Sequence, residues 1–314
     1  MTTRIPLVEA PTPIQHAPRL ARALGLDPER FWVKRDDLIG LGGGGNKVRK
    51  LQYSAARALD QQADVLVTTG APQSNHARLT AAAGARLGVD VVLVLAGPPV
   101  EPVGNLLIER LVGAELVWAG EQDTGDRAAQ VVRELQDDGR RPYLIPFGGS
   151  DSDSAQGYAD AADEIVDQVG TFDHIVVAVG SGGTMAGLVS RLGPSRVLGV
   201  HCGAIADARS TVATLLAGMG GTPVDGGDLR LDLDQVGDGY EHLTGPAQRA
   251  LRMFAETEGM LLDPTYTGRA AAGLTAAVEA GVIRPEHRTV FLHSGGFPSL
   301  FAHPEVARSV RPDR

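Results

Sequence analysis

The sequence predicts an α/β protein in which two open, mostly parallel sheets are covered by helices. Short apolar segments typical of buried strands alternate with helical segments over most of the 314 residues. Such alternation predicts parallel strands joined by crossover helices. Glycine-rich or polar turns follow several of the strands, and ligands bind at such turns in open parallel sheets. We therefore expect one ligand site built from loops that are far apart in the chain.

Apolar spacing predicts the individual elements in order. Residues that recur three or four positions apart predict helices, and short uninterrupted apolar runs predict buried strands. The predicted helices cover residues 20–24, 48–63, 75–87, 106–112, 155–169, 185–191, 245–259 and 267–280. The predicted strands cover residues 31–34, 64–69, 89–95, 114–118, 143–146, 175–179, 196–201 and 289–293. A glycine-dense passage at residues 218–227 separates the last two helices and the last strand from the rest.

Composition and charge exclude several classes of partner. The chain carries 29 Lys and Arg against 38 Asp and Glu and has no long basic block, which argues against nucleic acid. No apolar run reaches the roughly 18 residues of a membrane span, and the first residues lack a signal-peptide pattern. We therefore expect a soluble protein in the cytoplasm. The single cysteine, Cys202, is predicted to be a buried structural thiol, and the eight histidines lack metal-ligand spacing.

A glycine-rich stretch from Leu41 to Leu51 contains the first candidate for chemistry. Four consecutive glycines let the backbone turn tightly and approach a ligand closely, and the chain then reaches Lys47. Lys47 and Lys50 are three residues apart, so they share one face of a helix. One lysine can then bond covalently while the other meets an anion. The alternative is a flexible loop followed by a solvated basic helix start.

The turn from Gly70 to His76 brings polar side chains to a helix start. Ser74, Asn75 and His76 supply a hydroxyl, an amide and an imidazole where free backbone N–H groups favour an anion such as a carboxylate. Alternatively, Ser74 or Asn75 only caps the helix.

A second turn predicts a phosphate cradle. It follows a predicted strand, precedes a predicted helix and consists of Gly180, Ser181, Gly182, Gly183 and Thr184. Converging N–H groups and small residues let an anion come close. The turn lacks the ending of a nucleotide P-loop and the spacing of a dinucleotide fingerprint. A bound phosphate group is therefore favoured over ATP or NAD.

Further hydroxyl groups follow other predicted elements. Ser294 ends the last strand, where its hydroxyl can meet a ring nitrogen, and Tyr240 and Tyr266 lie in polar turns typical of either a substrate site or a surface. Gly148-Gly149-Ser150 is either a further polar turn of the site or an ordinary loop. A reactive lysine, a distant phosphate cradle and a partner for a ring nitrogen together indicate pyridoxal 5′-phosphate.

Six motifs in order resemble those of the D-cysteine desulfhydrase and 1-aminocyclopropane-1-carboxylate deaminase family. These enzymes belong to the tryptophan-synthase-β-like, fold type II, pyridoxal phosphate enzymes. The resemblance runs from about Pro11 to Phe301. The motifs are Lys34–Asp37, Gly44–Leu51, Gln73–Arg78, Gly180–Gly187, Leu262–Gly268 and His293–Gly296.

The resemblance implies roles for the residues that match these motifs. Lys47 would bind the cofactor as an imine, Asn75 would bond the ring hydroxyl, and Lys50 with the Gly180–Thr184 turn would hold the phosphate. Ser294 would meet the ring nitrogen. Ser74 and His76 would receive the substrate carboxylate, with Tyr240 and Tyr266 on the substrate side. It also implies a homodimer and a cofactor between two domains, a larger one of residues 1–48 and 144–314 and a smaller one of residues 49–143.

Thr267 indicates which reaction of the family to expect. The deaminases carry glutamate at this position, near the pyridine nitrogen, where a carboxylate keeps the nitrogen protonated; a hydroxyl leaves it largely neutral. A neutral ring still suits β-elimination, with either the freed Lys47 amine or a tyrosine hydroxyl moving the Cα proton. We therefore expect a lyase that converts D-cysteine to pyruvate, ammonia and hydrogen sulfide.

Several alternatives stay open. One is another reaction of the same family, on the cyclopropane amino acid, L-cysteate, D-serine or a diamino acid. Another is a catalytically silent protein that binds pyridoxal phosphate. Two departures from the family pattern affect the substrate prediction, because Phe297 stands where a small residue is usual and the loop at residues 151–156 is unusually acidic. Either departure can reshape the substrate pocket.

Overall fold

The computed structural model describes residues 4–221 and 223–309, and within them two β-sheets are flanked by helices. The strands are β1 (Ile14–His16), β2 (Phe31–Arg35), β3 (Val65–Gly70), β4 (Asp90–Leu95), β5 (Glu115–Trp118), β6 (Pro142–Leu144), β7 (His174–Val179), β8 (Val197–His201), β9 (Arg230–Asp232) and β10 (Thr289–His293). The helices are α1 (Pro18–Leu24), α2 (Lys47–Asp60), α3 (Asn75–Leu87), α4 (Gly104–Leu111), α5 (Thr124–Asp137), α6 (Gln156–Val169), α7 (Gly183–Leu192), α8 (Ala208–Gly218), α9 (Gly245–Glu258), α10 (Thr267–Glu279), α11 (Phe297–Ala302) and α12 (Pro304–Ser309).

The chain leaves the larger sheet after β2 and returns to it at β7. The larger sheet has the order β1-β2-β10-β7-β8-β9, and the smaller sheet, β5-β4-β3-β6, is built entirely from the intervening segment. All neighbouring strands are parallel except β1 and β2. The predicted α/β class with mostly parallel sheets is confirmed. The domain bounds, 1–48 with 144–314 and 49–143, stay a prediction.

Both sheets bury apolar side chains on each face, as parallel sheets covered by helices do. In β10, Phe291 packs with Phe254 on one face of the larger sheet, while Val290 and Leu292 pack with Met185 on the other. The smaller sheet has the same two-sided burial. Because the strands are buried on both faces, they read as uninterrupted apolar runs in the sequence.

Six helices and strands of the described residues were not predicted. Helices α5 and α8 have apolar residues at helical spacing and could have been predicted: Ala128, Val131, Val132 and Leu135 in α5, and Ala208, Val212 and Leu216 in α8. Helices α11 and α12 have six residues each, too few for a clear period. Strands β1 and β9 are three residues each and lie at the two edges of the larger sheet. Such short edges are recognised by their pairing with a neighbour rather than by their own composition. Three parts of the predictions lie outside the described residues. They are residues 1–3, where a signal-peptide pattern is lacking, residue 222 of the glycine-dense passage, and residues 310–314 of the predicted larger domain.

Two features are absent from residues 4–221 and 223–309. No helix there combines the length and the apolar composition that crossing a bilayer requires. No group of three or more His, Cys, Asp or Glu side chains there is arranged to hold a metal ion.

A buried ionic network fixes the first turn of α2. The Arg49 guanidinium donates to both oxygens of Asp36, at 2.9 Å each, and to the Glu164 carboxylate at 3.0 Å. Tyr158 donates to Asp36 at 2.5 Å, and the Lys34 ammonium pairs with Glu164. Strand β2, its following turn and helix α6 supply these partners. The network therefore holds the start of α2 against the larger sheet.

Candidate functional site

Two adjoining cavities lie where β3, β7 and β10 end, beside the start of α2. Four residues line both cavities: Lys47, Asn75, Ser181 and Tyr266. The first cavity is also lined by Gly180, Gly182, Thr184 and Ser294, and the second by Ser74, His76 and Tyr240. The second measures about 230 Å³, which is below the roughly 300–1,000 Å³ of sites for drug-sized ligands. It suits a small substrate.

Two of the predicted site residues lie just behind the cavity walls. Lys50 is fully buried, and its ammonium donates to Gly148 O at 2.6 Å and Ser150 Oγ at 2.7 Å. A Cβ on Gly183 would lie 2.6 Å from Ser150 Oγ and 3.4 Å from Lys50 Cδ, so Lys50 lies directly beside the turn that contains Gly183. The structure thus brings all the predicted site residues into one region.

Lys47 is an amine with few partners in a desolvated position. Its Nζ donates to Gly148 O at 3.1 Å and approaches Ser181 Oγ at 3.4 Å. Burial lowers the pKa of Lys47 from 10.5 to about 8. Burial, and then the charge of Lys47, lowers the pKa of Lys50 well below its ordinary value. A lysine with such a pKa is partly neutral near pH 7, and the neutral amine is the form that attacks a carbonyl.

The lowered pKa of Lys47 predicts how the cofactor-free protein captures an aldehyde. The rate constant for uptake of pyridoxal phosphate should rise with pH, and the midpoint of the rise should lie near 8. An ordinary lysine gives a midpoint of about 10.4. The rate constant rises with pH because a higher pH increases the neutral fraction of the amine. Stopped-flow absorbance from pH 6 to pH 10 measures it, with a small model amine run in parallel to remove the ionisations of the aldehyde itself. A midpoint near that of the model amine would contradict the prediction.

The turn before α7 has the geometry of an anion cradle. Gly182 has φ +86°, a conformation that favours glycine, and the helix begins at the next residue. The N–H groups of the first helical turn have no acceptor within the helix and carry the positive end of its dipole. A Cβ on Gly180 would lie 2.9 Å from the Tyr266 ring. Glycine is needed there because the backbone packs directly on that ring.

Asn75 and Ser294 present free hydrogen-bonding groups to the cavities. Asn75 Oδ1 accepts from Asn105 Nδ2 at 3.0 Å and from Arg78 Nη2 at 3.4 Å, which leaves the Asn75 Nδ2 donor for a ligand. Within residues 4–221 and 223–309, the Ser294 hydroxyl makes no hydrogen bond. An amide donor, a free hydroxyl, a partly neutral amine and an anion cradle are the groups that pyridoxal phosphate requires, so the residues present fit it.

Ser74 both caps a helix and faces the second cavity. Its Oγ accepts from Ala77 N at 3.1 Å, so the capping alternative is correct. The hydroxyl hydrogen is still available to a ligand, because a hydroxyl can accept and donate at once. The two interpretations of Ser74 are therefore compatible.

His76 is neutral and offers an acceptor rather than a cation. Thr68 Oγ1 donates to Ile145 O at 3.0 Å, so it must accept the hydrogen of His76 Nε2, 2.9 Å away. His76 Nδ1 then carries a lone pair, and it has no partner in the described part of the chain. Burial, and then the charges of Lys47 and Lys50, holds the pKa of His76 well below its ordinary value. Neither the charge nor the tautomer of His76 suits a carboxylate.

Tyr240 and Tyr266 form a pair at the wall of the second cavity. Their hydroxyl oxygens are 2.5 Å apart. Burial raises the pKa of Tyr240 to about 12 and that of Tyr266 well above its ordinary value. Both phenols therefore stay protonated near pH 7 and are proton donors rather than bases.

Arg269 holds the loop that carries Tyr240, a role that the sequence did not reveal. Its guanidinium donates to Cys202 O at 2.5 Å, Gly239 O at 2.6 Å, Tyr240 O at 3.3 Å and His242 O at 2.8 Å. It is fully buried at the start of α10, two residues after Thr267. One side chain thus ties the Tyr240 loop to the end of β8.

Replacing Arg269 with a shorter side chain should lower the activity of the site more than the stability of the fold. Arg269→Gln loses most of the four carbonyl contacts, and a displacement of about 1 Å at a reacting group can cost roughly 10²-fold in rate. We expect kcat/KM to fall tenfold to hundredfold by that reasoning. Arg249→Gln, at an exposed arginine of α9, is the control. If Arg269 acts through Tyr240, adding Arg269→Gln to Tyr240→Phe should cost little more; fully additive losses would contradict this.

The residues at which the sequence departs from the family pattern line neither cavity. Phe297 lines neither cavity and packs edge-to-face on Phe301, with ring centroids 5.0 Å apart. In the 151–156 loop, Asp151 and Asp153 pair with Arg57. A phenylalanine that does line the second cavity, beside the two tyrosines, is Phe147, which is 49% exposed and was not predicted. It follows β6, so the rule that ligands bind where parallel strands end could have identified it.

Cys202 is a buried structural thiol, as predicted. It has no exposed surface, and its Sγ donates to Val200 O at 3.3 Å. Burial raises the pKa of Cys202 to about 12, so the thiolate is scarce at neutral pH.

Comparison with known proteins places the chain among pyridoxal phosphate enzymes. It matches the family model described as pyridoxal-phosphate dependent enzyme over residues 5–295. A putative 1-aminocyclopropane-1-carboxylate deaminase from Pyrococcus furiosus is 38% identical over 313 residues, covering 95% of this chain and 93% of that protein. A D-cysteine desulfhydrase from Salmonella typhi is 37% identical over 321 residues, covering 96% and 97%.

Solved structures agree with the sequence comparison. A crystal structure described as an ACC deaminase homologue superposes with a TM-score of 0.89 at 36% identity, covering 98% of this chain and 96% of that one. A fungal L-serine ammonia-lyase from Rhizomucor miehei has a TM-score of 0.70 at 21% identity, covering 97% and 99%. The second likeness concerns the fold alone.

Proposed function

This chain belongs to the pyridoxal-phosphate-dependent enzyme family, and on that premise we propose that it is a β-eliminating lyase acting on D-cysteine. Its cofactor is pyridoxal phosphate, and it is an enzyme of the D-cysteine desulfhydrase and 1-aminocyclopropane-1-carboxylate deaminase type. The proposed products are pyruvate, ammonia and hydrogen sulfide.

We assign the cofactor contacts to the groups that the two cavities leave free. Lys47 Nζ binds the aldehyde, and the N–H groups of the Gly180–Thr184 turn, with Lys50, hold the phosphate. Asn75 Nδ2 donates to the ring oxygen, and the Ser294 hydroxyl meets the ring nitrogen. When bound, the cofactor supplies an electron sink for the electron pair that Cα retains after losing its proton. Domain bounds of 49–143 for the smaller domain and 1–48 with 144–314 for the larger one accompany this proposal.

The remaining residues handle the substrate. Ser74 Oγ donates to the substrate carboxylate, and we leave His76 out of that role because it offers no positive charge. Lys47 Nζ, released when the substrate amine takes its place, removes the Cα proton. A lysine with a pKa of about 8 is a better base at neutral pH than two phenols whose pKa values are raised. Tyr240 and Tyr266 then act as hydrogen-bond donors on the substrate side.

The absence of acidic and arginine side chains from the cavity walls supports a substrate with an uncharged side chain. Among the described residues that line the two cavities, none is an aspartate, a glutamate or an arginine. Apart from the lysines, the cavities would offer the sulfonate of L-cysteate no positive charge. They would offer the second amine of a diamino acid no negative charge. This observation carries the choice of D-cysteine over the charged substrates.

The position of Thr267 supports elimination over cyclopropane opening. Its hydroxyl donates to Asp263 Oδ1 at 2.7 Å and accepts from Asp263 N at 2.8 Å, and Thr267 lines neither cavity. Asp263 is itself occupied by the N–H groups of the same turn. We therefore propose that a ring nitrogen would meet the hydroxyl of Ser294 rather than a carboxylate.

A product assay tests the proposed reaction. The holoenzyme is given D-cysteine, L-cysteine, D-serine, L-cysteate, a diamino acid and 1-aminocyclopropane-1-carboxylate in turn, and pyruvate, 2-oxobutyrate and sulfide are measured. We expect equal amounts of pyruvate and sulfide from D-cysteine and little 2-oxobutyrate. Efficient release of 2-oxobutyrate from the cyclopropane substrate would overturn the proposal and favour the deaminase reaction for which two of the relatives are named.

We also propose that the enzyme works in the cytoplasm as a homodimer. Support for a second copy comes from large apolar side chains left exposed on α4 and α11, which pack together: Leu111 is 75% exposed and Phe301 69%. The lone cysteine is unpaired, as is usual in reducing compartments. Light scattering of the purified protein tests the dimer, and cell fractionation tests the location.

A further inference from the structure

Asn105, at the start of α4, is bonded to the loop that carries Ser74 and Asn75. It has no exposed surface, and its Nδ2 donates to Gln73 O at 2.7 Å and to Asn75 Oδ1 at 3.0 Å. Its backbone N–H donates to Gln73 Oε1 at 2.9 Å. Asn46, Asn75 and Asn105 are the three asparagines of the chain, and the first two line the first cavity. Asn105 lines neither cavity and contacts the site only through its neighbours.

These bonds determine which way each amide faces. Gln73 O is a backbone carbonyl and can only accept, so the Nδ2 end of Asn105 must point toward it. An amide nitrogen has two hydrogens, and the second is directed at Asn75. Asn75 must then present Oδ1 to Asn105 and turn its own Nδ2 away. The reverse orientation of Asn75 would bring two buried donors together, which costs the desolvation of both.

Arg78 supports the same orientation but is not its main determinant. Its Nη2 reaches Asn75 Oδ1 at 3.4 Å, a long contact, while donating to Gly44 O at 3.0 Å. Nη1 of the same guanidinium is bonded to Gly42 O. Arg78 therefore serves mainly to hold the glycine loop before Lys47.

We infer that Asn105 is a positioning residue that fixes the amide of Asn75 with its Nδ2 donor toward the cofactor ring oxygen. The inference rests on the cofactor contacts proposed above and deepens them. A ring oxygen is an acceptor, so it is bound only if the donor end of Asn75 faces it. Because the orientation is set by a backbone carbonyl and a buried amide, it exists before the cofactor arrives and costs no reorganisation on binding.

A double-mutant cycle tests this with cofactor affinity as the readout. The variants are Asn75→Ala, Asn105→Asp and the two combined. Asn105→Asp keeps the shape but replaces the donor with an acceptor, so Asn75 turns its oxygen toward the ring. We expect the dissociation constant for pyridoxal phosphate, from equilibrium absorbance titration, to rise roughly tenfold to hundredfold in each single variant. The pH midpoint of the visible band of the bound cofactor should move in the same direction in both.

Two further variants control for charge and for loosening of the loop. Gln73→Glu adds the same negative charge next to Asn105 and keeps the acceptor for its N–H. It gives up the exposed bond from Gln73 Nε2 to Val103 O but leaves the bond between Asn105 and Asn75 in place. It should bind the cofactor nearly as the parent protein does. Asn105→Ala removes the donor without adding charge and should weaken binding less than Asn105→Asp. It also serves if the aspartate variant does not fold.

The cycle separates the inference from the site proposal. If Asn105 acts through Asn75, adding Asn105→Asp to Asn75→Ala should change the dissociation constant little. The inference about Asn105 would be overturned if Asn105→Asp weakened cofactor binding as much in the Asn75→Ala variant as in the parent protein. It would also be overturned if neither Asn105 variant changed the affinity or the pH midpoint. Neither result would contradict the proposed cofactor contacts. If Asn75→Ala itself leaves both readouts unchanged, the proposed contact of Asn75 with the cofactor is wrong.

Discussion

Replacing Lys47 with alanine is expected to abolish turnover and the visible absorption band of the bound cofactor. The amine is both the proposed attachment point and the proposed base, so we expect kcat to fall by roughly 10³-fold or more. Lys47→Arg should behave alike, because a guanidinium keeps the charge but cannot attack an aldehyde at neutral pH. Steady-state assays and a visible spectrum of each purified variant measure the effect, and circular dichroism confirms that the variants are folded.

The chain also allows the attachment point to be found directly. It has only three lysines, Lys34, Lys47 and Lys50, and Lys34 is committed to Glu164 in the buried network. Borohydride reduction of the holoenzyme followed by peptide mass mapping should place the cofactor on Lys47. Recovery of the label on Lys50, or a visible band that survives in Lys47→Arg, would contradict the assignment. Lys50→Arg is the matched control, since it should weaken phosphate binding but keep the covalent attachment.

Breaking the buried network at Arg49 is expected to be the most destabilising single change away from the cavities. Arg49→Met leaves the buried Asp36 carboxylate without its bidentate partner, and removing one member of a buried pair costs about 3–5 kcal/mol. Urea denaturation measures the free energy of unfolding by linear extrapolation. Arg191→Met is the control. Arg191 pairs with Asp163 at 2.6 Å with both side chains about half exposed, and such surface pairs contribute about 0–1 kcal/mol.

A second change distinguishes an uncompensated charge from a loss of packing. Asp36→Asn combined with Arg49→Met removes the buried charge together with its partner, so the double variant should recover part of the lost stability. No recovery would mean that Arg49 acts through packing alone. Since Arg49 lies between Lys47 and Lys50 on α2, Arg49→Met should also weaken cofactor binding.

The same network predicts how stability depends on acid. Burial would raise the pKa of Asp36, but Arg49, together with hydrogen bonds from Tyr158 and Thr12, outweighs it and lowers the pKa below 3.8. A carboxyl whose pKa is lower in the folded state stabilises the fold above its unfolded pKa, and this contribution is lost as the pH falls through the folded value. The acid limb of the unfolding curve should therefore be less steep in Asp36→Asn. An unchanged acid limb would contradict the prediction.

The spacing of apolar residues predicted most of the fold, and the composition of the loops predicted much of the candidate site. Uninterrupted apolar runs identified the strands because both sheets are covered on two faces, and the residues after β3, β7 and β10 were singled out by their composition. Helices α5 and α8 were missed although their apolar residues have helical spacing, and α11 and α12 are only six residues long. Strands β1 and β9 have three residues each, so their existence depends on pairing with a neighbour, which a local pattern cannot report.

The sequence alone therefore determined the α/β class, the family, the cofactor and the short set of residues around Lys47, because each of these is written in local spacing and in motifs a few residues long. Only the tertiary structure decided which groups are free to act. It showed that His76 is neutral, that Phe147 rather than Phe297 lines the second cavity, and that Asn105 and Arg269 hold site residues from outside it. Those properties depend on burial and on hydrogen bonds, most of which join residues about 30 to 80 positions apart. Such contacts are created when each sheet folds together with its helices and loops, so a local pattern in the sequence does not contain both partners.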